Sequence, residues 1–103
     1  MALNAQEEFV SFMQQYPEFY VIVNSESYMV VLEAVEKKGL SLEDLHSILD
    51  LKHETLNPIL DSLYYLKVIE KLKVGGKTIF YSTDIGKKLL AKFRKAKKEL
   101  NIS

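Results

Sequence analysis

The chain has 103 residues, 48% of them hydrophobic and 27% charged, a length and composition that suit one domain, or one domain with an arm. It has no cysteine, which excludes disulfides, thiolate nucleophiles and cysteine metal sites. Its zero net charge is a cancellation: residues 1–66 sum to −8 and residues 67–103 to +8, an asymmetry that points to a polyanionic partner.

Asn4 with Glu7 three residues on predicts the N-cap of a first helix. Phe9, Phe12, Met13 and Tyr16 give it an apolar stripe, and Pro17 stops it, because a residue before proline avoids helical geometry. Phe19–Val23 reads as a short strand or as the lead into the next helix. Asn24–Ser25 offers the next N-cap, and Tyr28, Val31, Leu32 and Val35 form the second stripe. Gly39 ends that helix, with Lys37 and Lys38 where cations suit the dipole.

Ser41 and Asp44 form a capping pair, with Leu40 and Leu45 at the staple positions and Leu42, Leu45, Ile48 and Leu49 facing the core. Asp50–His53 is a tight connection into a helix whose apolar face is Leu56, Ile59, Leu60, Leu63 and Leu66. Pro58 belongs in a first turn, which predicts Thr55 or Asn57 as N-cap. Of Tyr64 and Tyr65, one is expected in the core and the other partly exposed. Val68–Val74 and Lys77–Thr83 are β-prone and joined by Gly75–Gly76, a strong hairpin signal. Thr83–Asp84 caps a last helix with Ile85, Leu89, Phe93, Ala96 and Leu100 in a short coiled-coil-like seam.

The expected fold is mainly α with a small β-hairpin wing: a winged helix-turn-helix with extra N-terminal and C-terminal helices. Residues 1–23 form an arm, 24–83 the winged-helix core and 84–103 a basic terminal helix. The segments SLEDLHSILDLKHETLNPILDSLYYLKVIEKL and GGKTIFYSTDIGKKLL resemble the winged-helix core of MarR- and PadR-type transcription regulators. TLNPIL resembles the family's T-L-x-P-x-L in the recognition helix. LYYLKVIEKL sits where the family reads L-x-x-L-x-x-x-G-L-I. FYSTDIGKKLL resembles the Y-x-L-T-x-x-G-x-x-L-L that opens its last helix. Ser82 stands for the usual aliphatic residue, and Val68 falls near the usual glycine. The recognition helix lacks the family's basic residues and carries Glu54 and Asp61, which would repel phosphates.

The resemblance implies a dimeric regulator of transcription that binds double-stranded DNA. Thr55 and Asn57 are then the residues facing bases or phosphates, with Lys52 and His53 at the start of that helix. Lys71, Lys73 and Lys77 around the hairpin tip either hold phosphates or guard a solvated strand edge. Lys87, Lys88, Lys92, Arg94, Lys95, Lys97 and Lys98 crowd the last helix, either toward nucleic acid or toward the acidic half of a second subunit.

The stripes Phe9, Phe12, Met13, Tyr16 and Leu89, Phe93, Ala96, Leu100 are the expected dimer interface. The alternative function is a winged-helix protein–protein module. A basic wing sharing one side with Thr55 and Asn57 favours DNA, and a basic surface opposite favours the module. No catalytic constellation appears, so no enzyme and no cofactor are expected. His46, Asp50, His53 and Glu54 read as surface residues, because zinc sites need three or four converging ligands. No positive n-region or long apolar run is present, so the expectation is a cytoplasmic protein without a membrane partner.

Overall fold

The structure, a computed structural model, describes the backbone of residues 3–102 and the side chains of 3–100. The outer ends of the expected arm and of the expected last helix fall outside that range. The order of elements is α1 (Ala5–Gln15), a 3-10 turn (Pro17–Phe19), α2 (Tyr20–Val23), α3 (Glu26–Lys37), α4 (Leu42–Leu49) and α5 (His53–Tyr65). The hairpin β1 (Ile69–Val74) and β2 (Lys77–Ser82) and then α6 (Asp84–Ile102) follow. This is a winged helix-turn-helix, mainly helical, with helices added at both ends.

Local chemistry sets the helix starts. Asn4 accepts from the Glu7 N–H at 2.8 Å while the Glu7 side chain reaches back to Asn4, and Ser41 and Asp44 repeat the arrangement at α4. Ser25 caps α3 by accepting from the Tyr28 N–H. The segment Phe19–Val23 is helical rather than a strand: Phe19 and Ile22 turn inward, a spacing of three that a strand cannot bury on one face.

Two boundaries differ from the sequence reading. The N-cap of α5 is Lys52, so Pro58 sits in the sixth helical position, not the first turn. Burial of Leu56 at the same phase as Ile59, Leu60 and Leu63 outweighs the hydrogen bond that proline cannot donate to the Glu54 carbonyl, which lies on an exposed turn. Gly39 does not end α3 through a left-handed turn. Instead, a Cβ there would stand 2.6 Å from the Ile79 Cγ2, so glycine admits the hairpin.

The β1–β2 register runs from Ile69 opposite Ser82 to Val74 opposite Lys77. Gly75 and Gly76 both have positive φ, 55° and 81°, as a two-residue turn matched to strand twist requires. A further bridge is absent from the sequence reading. Leu40 and Phe80 exchange backbone hydrogen bonds of 2.9 and 2.8 Å, which docks the wing onto the loop before α4.

The core runs through all the helices: Phe12 and Met13 of α1, Leu32 and Val35 of α3, Leu45 of α4, Leu56 and Leu63 of α5, and Leu89 and Leu90 of α6 are buried together. The stripe on α1 is therefore matched by the seam on α6 within one chain. Phe9 meets Phe93 edge-on with ring centroids 5.8 Å apart, and Glu99 accepts from the Ala5 N–H at 3.0 Å. Ile48, expected in the core, is 59% exposed, because α4 has only eight residues and turns Leu45 alone fully inward.

Candidate nucleic-acid interface

The seven residues expected to meet DNA, Lys52, His53, Thr55, Asn57, Lys71, Lys73 and Lys77, are all exposed. Four of them come together. Asn57 on α5 faces Lys71, Lys73 and Lys77 of the wing across a cleft of about 850 Å³, floored by Leu42, Thr78 and Phe80. Register explains the grouping. Lys71 and Lys73 pair with Phe80 and Thr78, so all four side chains leave the hairpin on one face, the face that also carries buried Ile69.

The cleft also holds Glu43 and Asp61, leaving three cations against two carboxylates. Among the described residues, ion pairs within 4 Å are made by Arg94 alone, with Glu36 at 2.9 Å and Glu33 at 3.4 Å. The Glu36 hydrogen bond raises the Arg94 pKa further above its ordinary value. The wing lysines thus remain available to a ligand. One is held in place: the Lys71 Nζ lies 4.4 Å from the centre of the Tyr64 ring. Sequence reasoning missed this contact, since it assigned one of Tyr64 and Tyr65 to the core. Both are exposed, Tyr65 to 83%. They follow Leu63 on the outward arc of α5, and the seam that would cover them ends at Leu66.

Lys52 and His53 lie elsewhere, in a shallow groove with Glu43, His46, Ser47 and Glu54. There His46 Nδ1 is 2.7 Å from the Leu51 carbonyl and its ring meets His53 edge-on at 4.9 Å, which fixes the turn between α4 and α5. Thr55 is exposed in the first turn of α5, outside the cleft lining. Lys52 provides no side-chain cap; the Thr55 N–H donates to the Lys52 carbonyl at 3.0 Å, so of the first three N–H groups of α5 those of His53 and Glu54 are left for an outside acceptor.

Of the eight residues expected at a dimer interface, Phe12, Met13, Leu89 and Ala96 are buried inside the single chain. The two stripes cover each other, as the α1–α6 packing shows. Phe9, Tyr16 and Phe93 are half-buried and Leu100 is exposed.

No family model matches the chain, and no curated protein resembles it significantly. Solved structures do. Rv0081 of M. tuberculosis superposes with a TM-score of 0.74 at 21% identity, covering 84% of this chain and 89% of that one. An ArsR-like transcriptional regulator from Rhodococcus sp. RHA1 gives 0.62 at 18% identity over 85% of this chain and 80% of that one. The plasmid segregation protein TubR gives 0.64 at 20% identity over 91% of this chain and 88% of that one. At such identities the likeness is one of fold: the chain shares the winged-helix architecture of these proteins, and the MarR or PadR type is not singled out.

Proposed function

We propose that the chain is a DNA-binding transcriptional regulator without enzymatic activity, acting as a homodimer. In this reading α5 enters the major groove and the wing grips the adjacent backbone. The observation that carries it is the shared cleft: Asn57 of α5 and the three wing lysines face one space, so a duplex seated on α5 meets cations at once. The uncapped start of α5 supports a phosphate contact there as well. The likeness to an ArsR-like transcriptional regulator supports the same reading.

Dimerisation falls to the outward residues beside the α1–α6 pair. Val10 of α1 and Tyr20 and Val21 of α2 are exposed, and Phe9 and Tyr16 near α1 and Phe93 of α6 are half-buried, which leaves apolar surface for a second copy. The rival reading, a protein-binding module, draws on the carboxylates Glu54 and Asp61 on the outward face of α5.

A salt-dependent titration of duplex DNA separates the two. Three cations in the cleft contribute about −3 per protomer to the slope of log K against log salt, and Lys73→Ala with Lys77→Ala should reduce that contribution by about two. Absence of DNA binding at low salt would overturn the DNA-binding reading.

A further inference from the structure

We propose that the groove between α3 and α4 binds a small amphiphilic carboxylate, such as a medium-chain fatty acid. The groove has a volume of about 410 Å³ and apolar walls: Val30 and Ala34 of α3, Leu40 of the loop, and Ile48 and Leu49 of α4. That volume lies within the range of small-ligand sites, about 300–1,000 Å³. Ile48 is its exposed lip. The neighbouring outward positions of α4, Glu43, Asp44, His46 and Ser47, are polar. A single exposed aliphatic residue needs no explanation, but this one is continuous with four other apolar walls.

The rim sets the chemistry of the head group. Glu33, Lys37 and Lys38 border the groove. The Glu33 carboxylate is engaged by Arg94 at 3.4 Å, whereas Lys37 and Lys38 are exposed and, among the described residues, in no ion pair. The C-terminal end of α3 contributes about half a negative charge, less than either lysine. Asp44 attracts Lys38, which leaves Lys37 as the stronger partner for a carboxylate. An apolar floor under a cationic rim selects an anion with an apolar tail over a neutral or cationic amphiphile. It also favours a small molecule over a partner helix. A docked helix needs anchors over two turns or more, and α4 contributes only the adjacent residues Ile48 and Leu49 to the groove.

The test is a titration of the full chain with sodium octanoate below its micelle concentration, beside octan-1-ol and octylammonium, read by amide chemical shifts. Octanoate should give saturable shifts at residues 30, 34, 38, 48 and 49. Octan-1-ol should bind about fivefold more weakly, as loss of one exposed ion pair implies, and octylammonium more weakly still. Ala34→Leu should fill the floor and abolish the shifts. Ile48→Gln, at an exposed position, should weaken binding without touching the core. Lys37→Gln with Lys38→Gln should bring octanoate down to the affinity of the alcohol. Non-saturating shifts, shifts centred on the wing, or equal binding of octylammonium would overturn the proposal. So would shifts that follow protein concentration instead of ligand, which would make the groove a self-association face.

Discussion

The Thr83 hydroxyl donates to the Lys67 carbonyl across 2.7 Å, joining the end of α5 to the start of α6 over the base of the wing. Both partners are bound in local motifs. The Lys67 N–H bonds the Tyr64 carbonyl and the Val68 N–H bonds the Leu63 carbonyl, the paired closure of a helix end with Lys67 in the left-handed position at φ 66°. Thr83 in turn accepts from the Gly86 N–H at 3.3 Å, as the N-cap of α6. A hairpin hinged on so few atoms is aimed by them, and with it the lysines of the cleft.

Lysine in a left-handed position strains its Cβ against the backbone, by about 1–2 kcal/mol. Lys67→Gly should therefore stabilise the chain by about 1 kcal/mol in chemical denaturation. A loss of stability would show that the lysine side chain contributes more than its backbone costs. The left-handed residue is one position before Val68, near which the MarR/PadR pattern has its glycine.

Gly86 tests packing against propensity. On propensity alone, alanine in a helix is about 1 kcal/mol better than glycine. Here a Cβ would overlap the Val68 carbonyl and stand 2.7 Å from the Ser82 Oγ, at the joint between wing and α6. Gly86→Ala should destabilise by about 2 kcal/mol or more, since backbone must shift to admit the methyl. An unchanged or raised midpoint would mean that the joint yields easily.

Much of this was legible because it is local. Capping pairs, the Gly75–Gly76 turn and the stripes of period 3.6 each involve residues a few positions apart, and they placed the helices and the hairpin. What the sequence hid depends on distant partners. Gly39 reads as a helix terminator until Ile79 is seen beside it. The stripes of α1 and α6 read as surplus until they are seen to cover each other. Pro58 is locally a helix-start signal, overridden by the tertiary burial of Leu56. The cleft was half legible: composition gave the wing lysines and Asn57, while only the register shows Lys71 and Lys73 leaving the face turned to α5.

The capping pair at α4 makes stability respond to acid. Asp44 accepts from the Ser41 N–H at 3.0 Å, and that bond, with the Ser41 hydroxyl, holds the Asp44 carboxyl below its usual pKa. A carboxyl depressed in the folded state stabilises above its unfolded value of about 3.9, and the contribution is lost as pH falls through the lower folded value. Asp44→Asn should accordingly flatten the acid limb of a stability–pH curve below about pH 4 relative to the parent. Parallel curves for the two proteins would refute the assignment.

The Tyr64–Lys71 contact yields a prediction that separates charge from positioning. A lysine at an exposed strand position samples many rotamers, and a ring face restricts them with about 0.5–1 kcal/mol of attraction. If the ring holds Lys71 toward the cleft, Tyr64→Leu should weaken DNA binding about twofold to fivefold and leave the salt slope unchanged, because the cation is still present. Lys71→Ala should instead lower the slope by about one per protomer. Tyr64→Phe should behave as the parent, since the ring face alone is used. Tighter binding by Tyr64→Leu would give the opposite geometry, with the ring parking Lys71 away from phosphate. Tyr64 is exposed, so none of these changes removes a core contact, and a folded control by circular dichroism suffices.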